Sequence, residues 1–287
     1  MALWVWVTGC ALAGPLGPPL AYPPGALRVA LAERTSPEDA AEIGVAFEVP
    51  GDAVARARWE VARAAPGTER IRALVGLLTK PEPEGFGLRY RWSSTTSASE
   101  ALARGEGNCL SLASVLVGLA RGLEWKAFYG EAGDPRPEET LSESLVVQAD
   151  HMVVVVEAEG ARMIVDFLGP IEGRPVQIID DLAATAHFVN NRALEQVLAA
   201  QASGQDVPWD EVLARFSLAT RIDPRSARAW NNVGLALARL GREPEARKAY
   251  LRARLLDERL GSPLRNLAVL ETRSAAGAQP SVVPLPR

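Results

Sequence analysis

YRWSSTTSASEALARGEGNCLSLASVLVGLARGLEWKAFYGE, residues 90–131, contains the change of pattern from which the architecture follows. Gly105-Glu106-Gly107-Asn108 interrupts the chain, and from Cys109 onward apolar residues recur at helical spacing. Leu112, Val115, Leu116, Leu119 and Ala120 fall on one face, which predicts a helix ending near Gly122. Upstream, Ser97 and Glu100 have the spacing of a capping box and open a short helix. Downstream, Phe128 to Glu131 reads as a strand. Cys109 therefore stands on the first turn of an apolar helix. The unpaired N–H groups and the positive end of the helix dipole favour a thiolate there. Gly105 and Gly107 let the backbone come close to a substrate.

A cysteine nucleophile also needs a base and a group that orients the base. Further along, Met152 to Val156 and Arg162 to Phe167 are rich in β-branched residues around Ala158-Glu159-Gly160, the pattern of a β-hairpin. His151 begins the first strand and Asp166 ends the second. A two-residue loop at Ala158-Glu159 sets 151 opposite 166. A loop at Glu159-Gly160 sets 153 opposite 166, with 151 on the diagonal. Both registers put His151 and Asp166 on one face, with Cβ atoms ~5 Å or ~7 Å apart. A three-residue loop would separate them.

The choice of residues is narrow. The cysteines are Cys10 and Cys109, and the histidines are His151 and His187. A structural zinc site is hard to assemble from these four within one chain, and a disulfide framework is not expected because Cys10 lies in a segment expected to be removed or anchored. His187 falls on a helical stretch, Asp181 to Asn190, and reads as an ordinary helix-face residue away from this group. Cys109 as nucleophile, His151 as base and Asp166 as orienting acid form the candidate site.

Residues 90–131 resemble the nucleophile segment of the transglutaminase-like, papain-like cysteine superfamily. The shared order is an aromatic strand, a Thr/Ser-rich turn, a short A-S-E-A-L helix, G-E-G-N-C, an apolar helix and a strand. DHMVVVVEAEGARMIVDFLGP, residues 150–170, resembles the family's His and Asp strands. The resemblance implies an α+β fold with the nucleophile helix packed on an antiparallel sheet, and it implies the same three roles for Cys109, His151 and Asp166. Met152 and a run of valines stand where the family often has an aromatic after its His, and Gly122 to Ala127 replaces the family's small stretch after the nucleophile helix. Trp92 and the Cys109 N–H are both candidates to hold an oxyanion.

Around this core, residues 15–50 read as a loose lead-in broken at Pro23-Pro24-Gly25, with a strand-like run from Leu27 to Leu31. Residues 52–65 and 68–80 read as helices, and 132–144 as an acidic surface loop. Beyond Asp180 the chain is expected to be helical to about 272. Residues 227–260 resemble one tetratricopeptide unit, with Trp230, Val233, Gly234 and Leu237 on its first helix and Ala246, Tyr250 and Ala253 on its second. Glu258 stands where the closing Pro is usual. Partial units flank it. The expected division is a leader over 1–22, a transglutaminase-like domain over 23–180, repeats over 181–272 and a disordered tail over 273–287.

Residues 2–14 form one apolar run that is too short to span a bilayer as a helix. It resembles the core of a secretory signal, with Ala11-Leu12-Ala13 as a cleavage site, and Val7-Thr8-Gly9-Cys10 resembles a lipoprotein box that would place a lipid on Cys10. No Lys or Arg precedes Arg28, so the basic start of such a leader is missing. Export, to the periplasm or as a membrane-anchored lipoprotein, is the expectation. A net charge of −4 gives no broad basic surface, so nucleic acid is not an expected partner.

Two functional readings follow. One is a cysteine hydrolase or acyltransferase acting on a peptide or carboxamide through a thioester, with no metal or organic cofactor. The other is a catalytically inactive scaffold whose repeats bind a partner protein in their groove.

Overall fold

Leu27 and Leu31 lie four residues apart and are both fully buried, because the segment that carries them is helical. The computed structural model describes residues 19–132, 139–142, 145–147, 151–168 and 175–277. It opens with α1 (Pro24–Arg34) and α2 (Pro37–Ile43), where a loose lead-in and a strand-like run were expected. Pro24 sits at the start of α1, where a missing N–H costs no hydrogen bond, and Ser36 caps α2 by accepting from the Asp39 N–H. Spacing four apart outweighed the β-branched look of the run. α3 (Gly51–Ala62) and α4 (Thr68–Thr79) follow the expected helical stretches.

Next, β1 (Arg89–Tyr90) pairs in parallel with β2 (Glu106–Gly107) and brackets α5 (Ala98–Arg104), whose capping box of Ser97 and Glu100 is formed. α6 (Cys109–Gly122) is buried at every position from Cys109 to Ala120. It packs on a four-stranded antiparallel sheet of β3 (Lys126–Ala132), β6 (His151–Ala158), β7 (Ala161–Val165) and β8 (Val176–Ile179), in the order β7-β6-β3-β8. A separate hairpin of β4 (Glu139–Ser142) and β5 (Leu145–Val147) includes residues expected in a surface loop. The chain is thus a mixed helix-and-sheet fold, in keeping with the α+β class.

Two contacts fix the direction of α6. Tyr129, paired with Val154 across the sheet, puts its hydroxyl 2.9 Å from Ser114 Oγ. Burial pushes that phenol's pKa up. Two turns later, Arg121 donates to the carbonyl of Ala127, which pairs with Val156. From Ser114 to Arg121 the matching position moves from Val154 to Val156. α6 and β6 therefore run in the same direction, and their first residues, Cys109 and His151, lie at the same end of the layer.

Beyond the sheet come α7 (Asp181–Ala202), α8 (Trp209–Ile222), α9 (Ala227–Arg239), α10 (Glu243–Leu256) and α11 (Ser262–Gly277). Each packs on the next, and no strand occurs among the described residues after 180. α11 continues to Gly277, into the stretch expected as a tail. Gly234 lies under the ring of Tyr250, where a Cβ would come within 2.6 Å of Cδ1. α7 serves both halves: Leu182 to Val189 join the core around α6, while Ala193 and Val197 join the core of the helical array. Among the described residues no helix is long and apolar enough to cross a membrane. Residues 1–18 of the expected leader, with Ala11 to Ala13 and Cys10, lie outside the described residues. Leu20 and Tyr22 are tied to the start of α7 through Asp181.

Glycine substitutions test this packing. At Gly118 a Cβ would lie 2.1 Å from the Phe47 carbonyl oxygen and 2.9 Å from Val49 Cγ1. At Gly25, on α1, it would meet nothing within 4 Å. Gly118→Ala is expected to destabilise by about 1–3 kcal/mol in thermal or urea unfolding. Gly25→Ala is expected to be neutral or to stabilise by up to about 1 kcal/mol. Equal effects of the two would show that α6 does not pack against the Phe47 segment as described.

Candidate active site

Cys109 is the first residue of α6, and a dense set of short bonds shapes the turn before it. Asn108 is the cap: its Oδ1 accepts from the Ser111 N–H at 3.0 Å, and its own N–H donates to the Ser94 carbonyl at 2.9 Å. The Thr96 N–H donates to Ser111 Oγ at 2.8 Å. Gly107 has no side chain for a steric reason, since a Cβ there would lie 2.5 Å from Ser111 Cβ. The turn 94–96 is thus fastened directly to the first turn of α6. Cys109 itself is 8% exposed.

His151 and Asp166 come together through the β6–β7 turn. Ala158 pairs with Ala161, so the loop is Glu159-Gly160, the second of the two registers the sequence allows. Both loop residues have positive φ, +51° and +81°, as a two-residue hairpin turn requires. Glu159 accepts the left-handed conformation while its carboxylate receives the Gly67 N–H at 2.9 Å. That bond, helped by Arg70, lowers the Glu159 pKa against the opposing effect of desolvation. The diagonal arrangement leaves His151 Nε2 2.6 Å from Asp166 Oδ2. Asp166 Oδ1 accepts from the Leu168 N–H at 2.7 Å, so both oxygens are engaged and the carboxylate cannot swing away.

One feature of His151 bears directly on chemistry. Its side chain is 2% exposed, and Nδ1 is buried with no hydrogen-bond partner among the described residues. If Nε2–H donates to Asp166, Nδ1 is left as a bare acceptor. A buried polar atom without a partner costs about 1–3 kcal/mol, which is tolerated where a site uses it.

The route from His151 to α6 follows from the sheet. Tyr129 and Val154 turn toward α6, so His151 leaves β6 on the opposite face, with Val153 and Val155. It can meet the thiol only around the rim, at the end of β6 where Cys109 also lies. The structure therefore joins His151 to Asp166 by a hydrogen bond and places Cys109 at the same end of the layer.

His187 departs from its sequence reading. It is buried, and its Nε2 lies 2.5 Å from Oε1 of Glu131 on β3, next to the strand that carries His151. Trp92, a candidate oxyanion partner, is 55% exposed between β1 and α5. Among the described residues no group of three or more His, Cys, Asp or Glu side chains could hold a metal ion. Sequence reasoning missed Thr95, which contacts the cap of α6, and Glu195, which contacts Thr95. Asn108 was legible only as part of a chain break, although its residue type and its place just before the helix are the signal of a cap.

Comparison with known proteins finds no matching family model, no matching curated protein and no matching solved structure. The reading of the site rests on its own geometry.

That geometry has a spectroscopic consequence. In the neutral state the His151 ring proton should reside on Nε2 and appear as a strongly downfield N–H resonance. It should vanish in Asp166→Ala and persist in Cys109→Ala. Assignment of the neutral-state proton to Nδ1 would contradict the arrangement.

Proposed function

We propose that this chain is a cysteine hydrolase or acyltransferase of the transglutaminase-like kind, acting on a peptide or carboxamide bond. The observation that carries the reading is the buried His151, held through Nε2 by Asp166 with Nδ1 unpartnered among the described residues, at the end of the layer where Cys109 opens its helix. In this reading Nδ1 takes the thiol proton, and the sulfur attacks the carbonyl carbon. The tetrahedral intermediate collapses as His151 returns the proton to the departing nitrogen, leaving a thioester on Cys109. Water or an amine then attacks the thioester with His151 as base, which regenerates the thiol. Asp166 keeps the ring in the required tautomer and stabilises its protonated form. The Cys109 N–H on the first turn and the half-exposed Trp92 are the groups offered for the oxyanion. No metal or organic cofactor enters these steps.

The helical array completes the proposal as a tetratricopeptide-type groove for a protein or peptide partner. Gly234 beneath Tyr250 supports that reading, because a small residue at this crossing lets the two helices close up. Exported location, with a leader over residues 1–22 and a lipid on Cys10, belongs to the same proposal, and cell fractionation tests it.

Alkylation of Cys109 by iodoacetamide across pH, with the labelled peptide identified by mass spectrometry, needs no known substrate. The reaction should persist well below the titration of an ordinary thiol at about 8.5. His151→Ala should return it to the ordinary profile. Asp166→Asn should slow thiol-dependent turnover by roughly 10²–10⁴-fold, and Cys109→Ala should abolish it. An ordinary profile in the wild type, unchanged by His151→Ala, would rule out an activated nucleophile and leave the inactive scaffold.

A further inference from the structure

Glu195 lies 100 residues beyond Thr95 in the chain, yet its carboxylate reaches the turn that presents Cys109. Oε1 accepts twice, from the Thr95 N–H at 2.7 Å and from the Thr95 hydroxyl at 2.6 Å. Having given its proton to Glu195, the hydroxyl can act toward its other neighbour only as an acceptor. That neighbour is Asn108 Nδ2, at 2.7 Å. With its NH₂ group committed to Thr95, the Asn108 amide must turn its Oδ1 the other way. There it accepts from the Ser111 N–H and lies 3.1 Å from Ser111 Oγ. Each step fixes the polarity of the next, and the reversed amide would set an NH₂ against an N–H.

The chain is sheltered. Thr95 and Asn108 are 4% and 5% exposed. Desolvation is the largest influence on the Glu195 carboxyl and raises its pKa, against the two bonds from Thr95 and the charge of Arg192. Hydrogen bonds of this kind are strong when made and costly when one partner is lost. Asn108 directly precedes Cys109 and its amide caps the first turn of α6, so holding that amide holds the turn that carries the thiol.

We propose that Glu195 is a positioning residue for the Cys109 thiol, acting through Thr95 and Asn108, so that the helical region completes the nucleophile's cap. This rests on the proposed cysteine chemistry. Glu195 does not touch the reacting atoms. It sets the Thr95 hydroxyl, Thr95 sets the Asn108 amide, and Asn108 sets the first turn of α6.

The test uses the full chain and the rate of carboxamidomethylation of Cys109 by iodoacetamide between pH 5 and pH 10, read on the labelled peptide. Glu195→Ala should slow the reaction near neutral pH by about 10-fold and move its pH profile toward that of an ordinary thiol at about 8.5. Glu195→Gln should remain within about 2-fold of the wild type, because its carbonyl oxygen can still accept both bonds from Thr95. Thr95→Val should behave like Glu195→Ala, and Thr95→Ser like the wild type. The double variant Thr95→Val with Glu195→Ala should be no slower than either single one, because both break the same chain.

A Glu195→Ala protein with a lower Tm but a wild-type profile would make Glu195 a purely structural contact and overturn the proposal. If Glu195→Ala does not fold, the Thr95→Val and Thr95→Ser pair decides, and equal profiles for those two would overturn it. If the wild-type profile is ordinary and insensitive to His151→Ala, the cysteine chemistry itself has failed. A profile sensitive to His151 but indifferent to Glu195 and Thr95 removes only the positioning role.

Discussion

A helix buried at each of twelve successive residues, Cys109 to Ala120, has no face left for water, and the rest of the fold is arranged to cover it. The sheet takes one side through β3 and β6, and α3, α4, α5 and α7 contribute to the same core. Close approach is part of the design. Gly118 lies against the Phe47 carbonyl, and Gly122 lies against Val54. Burial on this scale supplies most of the favourable free energy of folding, but it is non-directional and cannot by itself aim a thiol. Direction comes from the few polar contacts made at the two ends of α6.

Those two ends are both held by α7. At the C-terminal end, Arg121 forms a two-pronged contact with Asp181, with Nη1 at 2.7 Å from one oxygen and Nη2 at 2.9 Å from the other. Arg121 also covers the Phe47 ring and donates to Ala127, and its charge suits the negative end of the helix dipole. At the N-terminal end, Glu195 reaches Thr95 and, through it, Asn108. Between these points His187 of α7 pairs with Glu131 of β3. α7 therefore runs beside α6 in the opposite sense. Asn190 of the same helix accepts from Asn232 of α9, and Asn266 of α11 donates to Asn231. The polar contacts of the array and those that hold the two ends of α6 thus share α7.

The parts that could be read in the sequence are those specified by local chemistry. The capping box at Ser97 and Glu100, the apolar spacing after Cys109 and the β-branched hairpin each depend on residues a few positions apart, and each forms as expected. Two registers were open for the hairpin, and the choice fell to the turn. Glu159 and Gly160 adopt positive φ, and Gly67 and Arg70 hold the Glu159 carboxylate from another element. Leu27 and Leu31 misled because a short apolar run has no period of its own until something is packed against it. His187 misled for the opposite reason. Its helix was evident, but its partner Glu131 lies on a strand far away in the chain. Thr95 and Glu195 were invisible for the same cause, since no local pattern marks a bond that spans 100 residues.

The separation between what buries and what aims bears on how such a site tolerates change. An apolar substitution inside α6 acts on stability, at about 1 kcal/mol or more for each methylene misplaced. A polar substitution at Asn108, Thr95 or Glu195 breaks at least two hydrogen bonds, each worth about 1 kcal/mol net to folding and about 1–3 kcal/mol where it leaves a buried partner unsatisfied. Yet in the proposed cysteine chemistry a thiol that meets a histidine around the rim of a sheet would depend on angle and distance. Misplacement by about 1 Å can cost roughly 100-fold in rate. A few kcal/mol therefore act on both scales, on folding and on the proposed reactivity. In that proposal the polarity of a single amide, set from a distant helix, matters more to Cys109 than its place in the core suggests.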